Sequence, residues 1–191
     1  MSKAHTGGPG TDAAALILRL AVGPMMMTHG LNKVRGPGGL EGTAGWFDSL
    51  GLQPAHVHAR MAAATEIGTG TLLTVGTMTP LASAGVIGVM TVAAFTDHKG
   101  KGFFIFKGGW EYVGIVGAAA AAISALGPGR HSLDGARGKR RGGFRSALFS
   151  TVVGAGAAAA LLATSQKGPS PQPAADDADA TDDDDNTGAE G

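Results

Sequence analysis

The chain contains no cysteine. This absence excludes disulfide bonds, thiolate-bound iron–sulfur clusters, thioether-linked haem and a cysteine nucleophile. It does not reveal the redox compartment. Any electron transfer by this protein would need an exogenous cofactor or a partner subunit.

Aromatic residues are scarce as well, at 5% of the chain, and residues that favour strands are sparse. Glycine, in contrast, accounts for 33 of the 191 residues, and alanine is abundant. This composition is unusual for a soluble domain. It is typical of packed transmembrane helices, which use small residues where they contact one another.

The chain has no formal net charge, but its charges are distributed unevenly. Eight of the fifteen acidic residues lie in the C-terminal tail, whose segment "DDADATDDDD" carries most of them. The rest of the chain is therefore basic. A tail of this composition cannot bury apolar surface, so we predict that it is disordered. A cation-binding or partner-binding tail is the sharper alternative, although no aspartate spacing matches a calcium loop.

Long apolar stretches dominate the rest of the sequence. A membrane-spanning helix needs about 17–25 mostly apolar residues, and five stretches reach or approach this length: 13–31, 55–76, 80–96, 110–126 and 147–164. Five such helices in so short a chain leave little polar surface for the outside of a soluble protein. The sequence therefore predicts an all-α membrane protein, with a four-helix transmembrane bundle and a fifth transmembrane helix.

Basic residues predict the orientation. The loop "GARGKRRGGFR" and the preceding Arg130 hold six of them, and short basic loops stay in the cytoplasm. This signal explains the loop better than nucleic-acid binding does. We expect a multi-pass protein of the bacterial inner membrane with these parts: a cytoplasmic N-terminus (1–12), a four-helix bundle (13–134), a basic cytoplasmic loop (135–146), a fifth helix (147–164) and a disordered acidic tail (165–191).

Two ionisable residues lie inside the predicted spans, where a charge is costly and usually functional. Arg19 lies about six residues into the first span, and Glu66 lies near the middle of the second. Since these spans run antiparallel, a long arginine side chain can bridge the difference in depth. A structural ion pair between the two helices and a functional role, such as lining a solute path, both remain open.

A second group of polar residues lies at the predicted outer ends of three spans. His29 and Lys33 are four residues apart, so they share one face of the first helix. The other two motifs supply Asp97 and His98, then Trp110, Glu111 and Tyr112. Together they can relay protons, bind an anion or hold a polar head group, and we expect His29, Lys33, His98 and Glu111 to form one site. The aromatic pair also suits a simple interfacial belt.

The loop 32–54 is long for a helix connection. Leu40, Trp46, Phe47 and Leu50 are spaced to form one side of a short helix that ends at Gly51. We expect this helix to cover the polar cluster. We predict no metal site, because His56 and His58 point to different faces of a helix and His29 with His98 would need a nearby carboxylate.

Small residues recur at four-residue spacing in three of the spans. These stripes are typical of helix–helix packing. We expect packing faces at three sets of positions: Ala62, Glu66, Gly70 and Thr74 in the second span; Gly114, Ala118 and Ala122 in the fourth; Gly154 and Ala158 in the fifth.

The motifs also resemble those of the DoxX family. The resemblance rests on "RLAVGPMMMTHGLNKVRG", "GLEGTAGWFDSLGL", "ATEIGTGTLLTVGTMTPLA", "HKGKGFF", "GWEY" and "GPGRHSLD", which occur in this order between residues 14 and 134. It implies a small four-helix membrane bundle. The family takes its name from a membrane thiosulfate:quinone oxidoreductase, and actinobacterial relatives are linked to oxidative-stress complexes.

The resemblance implies a membrane subunit of a redox or stress-defence assembly, with quinone or a small sulfur compound as its ligand and soluble redox or stress-defence proteins as partners. On this hypothesis His29, Lys33, His98 and Glu111 act on the substrate, while Trp110, Tyr112, Arg19 and Glu66 contact the cofactor. Two other functions stay open: a non-enzymatic scaffold whose basic loop recruits soluble partners, and a transporter of small solutes.

Overall fold

The computed structural model describes residues 8–167, and apart from one isolated β-bridge between Leu52 and Gln166 all of the regular secondary structure in this range is helical. Eight helical segments follow one another: α1 (Pro9–Arg35), α2 (Gly39–Ser49), α3 (Ala55–Val75), α4 (Thr79–Phe95), a 3₁₀ turn (Ile105–Lys107), α5 (Glu111–Leu126), α6 (Leu133–Ala136) and α7 (Phe144–Ser165). The predicted all-α fold is confirmed. The first seven residues and the acidic tail beyond Lys167 lie outside the described residues.

Four long helices, α1, α3, α4 and α5, form an antiparallel bundle, and α7 packs against α4 and α5. The buried core draws on all four, with Met26, Leu73, Val86 and Ile123 among its largest members. Each of the five predicted apolar stretches is thus a helix. We call the two ends of the bundle the α2 end and the basic-loop end, after the segment that lies at each.

Glycines bring the helices close together at two contacts. A Cβ atom on Gly70 of α3 would lie 2.6 Å from the carbonyl oxygen of Gly23 in α1. At the other contact, a Cβ atom on Gly154 of α7 would overlap the carbonyl oxygen of Ala84 in α4 and lie 3.1 Å from the backbone nitrogen of Gly88. Both distances are shorter than ordinary contacts, so these positions require glycine. The small-residue stripes predicted for α3 and α7 are therefore real packing faces.

The stripe predicted for α5 is wrong. Ala118 and Ala122 are exposed, and the buried face of this helix instead carries Val113, Val116 and Ile123. Gly114 lies against Trp110 of its own helix end rather than against a neighbouring helix. In α5 the larger apolar side chains occupy the face toward the interior, because burying them removes more apolar surface from water than burying alanine does.

Two helices, α1 and α7, are long and apolar enough to cross a membrane. The apolar helices α4 and α5 are shorter, at 17 and 16 residues, and helices of these lengths span about 25 Å of a hydrocarbon core about 30 Å thick. Helix α3 has 21 residues, but its histidines, threonines and Glu66 lower its hydropathy. Helix α3 therefore carries polar and ionisable side chains as well as apolar ones.

The end of α7 is fixed at the α2 end of the bundle. The backbone nitrogen of Gln53 donates to the carbonyl oxygen of Ser165 at 2.8 Å, and that of Lys167 donates to the carbonyl oxygen of Gly51 at 2.9 Å. Phe47, Leu52 and Ala59 form a second apolar cluster there, with Leu161 and Leu162 of α7 packed against it. This clamp holds the C-terminal end of α7 near the start of α3, while α7 itself packs along α4 and forms one wall of a cavity.

Candidate functional site

An ion pair between Lys33 and Glu66 lies inside the helix bundle. The Lys33 Nζ atom donates to both carboxylate oxygens of Glu66, at 2.8 and 2.7 Å. Their side chains are only 15% and 5% exposed. A pair this far from water is costly to form and more costly to break, because removing one partner leaves a charge buried without compensation.

The local sequence explains why these two side chains meet. Gly30 of α1 allows close approach to α3, since a Cβ atom there would lie 2.7 Å from the Ile67 side chain and 2.9 Å from the carbonyl oxygen of Ala63. Lys33 lies almost one turn beyond Gly30, and Glu66 neighbours Ile67. The close contact between α1 and α3 therefore places the Lys33 ammonium within hydrogen-bonding distance of the Glu66 carboxylate.

The predicted pairing of Arg19 with Glu66 is wrong. Arg19 is 2% exposed and lies at the opposite, basic-loop end of the bundle. Its guanidinium donates to four backbone carbonyl oxygens, which belong to Leu73 (2.9 Å), Thr74 (3.2 Å), Pro128 and His131 (3.0 Å). The first two belong to the last turn of α3, where carbonyl oxygens lack the usual partners within the helix, although that of Leu73 also accepts from the backbone nitrogen of Gly76 at 3.1 Å. Arg19 therefore ties α3 to the loop after α5 and does not line the cavity described below.

Tyr112 and His29 form a second polar contact beside the ion pair. The Tyr112 hydroxyl lies 3.1 Å from Nε2 of His29 and 3.1 Å from the sulfur of Met25. The two rings are 6.0 Å apart between their centroids. This contact joins α5 to α1, and it places a hydroxyl and an imidazole next to Lys33, one turn along the same helix.

These groups line an elongated cavity of about 780 Å³. Along α4, its lining runs from Leu81 to Thr96, which corresponds to about 22 Å at 1.5 Å per residue. The remaining lining is mostly apolar, with α7 contributing Val153, Ala157 and Leu161. A mostly apolar cavity of this size with a few convergent polar groups is the usual form of a small-molecule site.

Helix α2 covers the polar end of the cavity, as the sequence predicts. Trp46 and Phe47 of this helix both line the cavity, and α2 ends just before Gly51, whose φ angle is +78°. On the far side of Trp46 lies a smaller groove of about 290 Å³ that also contacts His29 and Lys33. These three side chains therefore separate a groove at the surface from the apolar interior.

The structure brings together some of the predicted site residues and separates others. His29, Lys33, Glu66, His98 and Tyr112 all line the cavity. Within it, His98 is held by a hydrogen bond from Nδ1 to the carbonyl oxygen of Gly108 at 2.6 Å.

Glu111 and Trp110 do not line this cavity. Glu111 accepts a hydrogen bond from the backbone nitrogen of Ile105 at 3.1 Å, which ties the start of α5 to the preceding 3₁₀ turn. Trp110 is half exposed and packs edge-on against Phe103. The structure therefore does not place Glu111 with His98 in the cavity wall, because its carboxylate caps the 3₁₀ turn.

Sequence reasoning missed His58, which lies in the first turn of α3 and lines the cavity. It is 8% exposed, and its Nδ1 atom has no hydrogen-bond partner among the described residues. Its four-residue spacing to Ala62 and Glu66 is the signal that places it on the cavity face. Within residues 8–167, no three histidine, aspartate or glutamate side chains lie close enough together to hold a metal ion.

The chain is similar in sequence to known proteins. Residues 14–99 match the DoxX family model. The chain is also 29% identical over 149 residues to an uncharacterized membrane protein of Mycobacterium tuberculosis, a match that covers 71% of this chain and 86% of the relative. No solved structure matches it. The family match includes Lys33 and Glu66 but ends before Tyr112 and α7. These matches and the helical fold support a membrane protein that resembles the DoxX family over residues 14–99.

Proposed function

We propose that the protein binds a quinone in the cavity and serves as the membrane subunit of a redox or stress-defence assembly. The observation that carries the proposal is the Lys33–Glu66 ion pair in the wall of an elongated, otherwise apolar cavity. A quinone combines the two properties that such a site selects, a ring with polar oxygens and a long apolar tail.

The donor and acceptor groups of the site suit the head group. Lysine has three N–H groups, and two of those on Lys33 are used by Glu66. The third is available to a ring oxygen of the ligand. Tyr112 and His29 lie beside it, and His29 also reaches the surface groove. An imidazole in this position is suited to exchanging protons near neutral pH.

The apolar part of the cavity suits the tail. Leu72, Leu81, Ala84 and Val153 line it toward the basic-loop end. When bound, a quinone supplies reversible two-electron, two-proton chemistry. The chain itself contributes binding, orientation and a route for protons through His29, while a partner protein exchanges the electrons. We place the α2 end on the outer face of the inner membrane, following the basic loop.

The native tryptophans offer a direct test. The chain has two, Trp46 in the cavity wall and Trp110 outside it. In a Trp110→Phe variant in phospholipid nanodiscs, decylubiquinone should quench Trp46 fluorescence saturably. The matched Trp46→Phe variant should show only the linear quenching of an unbound quencher. Linear quenching in both variants would contradict the proposal.

Recruitment of an acidic soluble partner is a second candidate function, which the basic loop favours. Arg137, Lys139, Arg140 and Arg141 are all exposed, and none forms an ion pair with another described residue. Replacing all four by glutamine should abolish co-purification of soluble partners and leave the quenching of Trp46 unchanged. Retention of the same partners would exclude this role for the loop.

A further inference from the structure

His58 is a buried polar group that neither the ion pair nor the helix contacts use. Its Nε2 atom lies 3.2 Å from the carbonyl oxygen of Gln53. A carbonyl oxygen only accepts, so Nε2 carries the proton and donates. In a neutral imidazole the other nitrogen is then an acceptor. Nδ1 of His58 is therefore a buried acceptor in a side chain that lines the cavity, with no donor for it among the described residues.

The position of His58 relative to Glu66 suggests what the donor is. The two residues are eight apart on α3, with Ala62 between them also lining the cavity, and this separation is a rise of about 12 Å along the helix. A six-membered ring with oxygens on opposite carbons, hydrogen-bonded at both, spans about 11 Å, of which each hydrogen bond takes about 2.8 Å. The two positions are thus spaced to hold the two ring oxygens of one head group.

We propose that Nδ1 of His58 accepts a hydrogen bond from a ring hydroxyl of the reduced ligand, a quinol, so that the site prefers quinol to quinone. This inference rests on the proposed function. A quinol hydroxyl donates to Nδ1, whereas the corresponding quinone carbonyl places a second lone pair against it. At the ring oxygen near Glu66, Lys33 donates to either form of the ligand. His58 is therefore the residue that distinguishes the quinol from the quinone.

Two substitutions separate the ligand contact from the structural one. In His58→Gln, the amide nitrogen is as many bonds from Cα as Nε2, so the variant keeps the bond to Gln53 and loses the acceptor at the Nδ1 position. In His58→Asn, the amide oxygen or nitrogen occupies the Nδ1 position, so the variant accepts from a quinol or donates to a quinone. A merely structural histidine would tolerate the first better than the second.

The experiment uses the full chain with Trp110→Phe, in nanodiscs and without oxygen. Decylubiquinone quenches Trp46, and decylubiquinol competes with it. The background protein should bind the quinol about tenfold more tightly than the quinone, the effect of one hydrogen bond. His58→Gln should lose that preference while its affinity for the quinone changes less than about twofold.

The outcomes separate this inference from the function on which it rests. Saturable quenching with equal affinity for both forms, or an unchanged preference in His58→Gln, would overturn the role of His58 and leave quinone binding intact. Absence of saturable quenching would overturn both. If His58→Gln does not fold, His58→Asn decides, because an adaptable amide should reduce the preference below about twofold, and a retained tenfold preference would refute the inference.

Discussion

At the scale of single residues, the site depends on which charges find partners. The sequence shows that His29 and Lys33 share a helix face and that Glu66 is buried, and the structure places all three in one cavity wall. The partner of Glu66 could not be read from depth alone. Lys33 reaches it because Gly30 brings α1 against α3, while Arg19 donates to buried carbonyl oxygens in the last turn of α3.

We expect the Lys33–Glu66 pair to show strong coupling in a double-mutant cycle. Glu66→Gln strands the buried ammonium and should lower the free energy of unfolding by about 3 kcal/mol. Lys33→Met combined with Glu66→Gln should cost less than the sum of the single changes. Chemical unfolding in detergent micelles measures the free energy of unfolding of the unsubstituted protein, the two single variants and the double variant.

The exposed Lys101–Asp97 pair, at 3.2 Å, is the matched control for this cycle. Its coupling should be below about 1 kcal/mol. A cycle of Arg19→Met with Glu66→Gln should be additive, because Arg19 lies outside the cavity at the basic-loop end of the bundle and its hydrogen-bond partners differ from that of Glu66. Additive losses for Lys33 and Glu66 would show that the pair does not form.

Arg19→Lys should destabilise the protein although it keeps the charge. The planar guanidinium donates to four carbonyl groups at once, and an ammonium has only three donors on a flexible stem. Each buried carbonyl left without a donor costs about 1–3 kcal/mol. Thermal unfolding should show a clear loss for Arg19→Lys, whereas the same change at exposed Arg60 should be neutral. Equal behaviour at both positions would argue against the carbonyl contacts.

At the scale of helices, the contact faces depend on side-chain packing more than on the spacing of small residues in the sequence. Four-residue stripes of small residues identify the contact faces of α3 and α7, where glycine is required by backbone contact. The same pattern fails in α5, since larger side chains on another face fill the interior. The helix over residues 39–49 could be predicted because its apolar spacing and Gly51 are local signals. The cavity could not, because it arises from how far apart α3, α4 and α7 are held.

Helix α7 offers a prediction in which one type of substitution has two opposite effects. Gly156→Ala meets nothing within 4 Å and should stabilise the protein by about 0.5–1 kcal/mol through helix propensity alone. Gly154→Ala should destabilise it, because the new methyl group would lie 3.0 Å from the Ile87 side chain and 3.1 Å from the Gly88 nitrogen. Unfolding midpoints of the two variants measure the difference. Stabilisation by both would mean that α7 does not pack on α4 as described.

At the scale of the whole molecule, an apolar cavity lies between the family-matched helices α3 and α4 and the additional helix α7. Its polar end is covered by α2, and its apolar end points toward the basic loop. This arrangement lets an amphiphile keep its head group near one face of the membrane and its tail in the interior. The positive-inside rule, applied to the basic loop, predicts the orientation of the bundle that we propose.

Topology can be tested with single cysteines, because the native chain has none. Gly45 in α2 has open space around it, and Arg140 in the basic loop is exposed. A membrane-impermeant maleimide applied to intact spheroplasts should label Gly45→Cys and should label Arg140→Cys only after lysis. Labelling of both variants in intact spheroplasts would contradict an antiparallel bundle that crosses the membrane.

The central claim, that the cavity between α3, α4 and α7 holds a quinone, is tested most directly by photo-crosslinking. An azido-substituted quinone irradiated with the protein in nanodiscs should label peptides from residues 58–72 of α3 and 81–96 of α4, and excess decylubiquinone should prevent the labelling. Lys33→Met combined with Glu66→Gln should reduce it strongly. Labels confined to exposed faces, such as the one that carries Ile115, and unaffected by decylubiquinone would contradict the account.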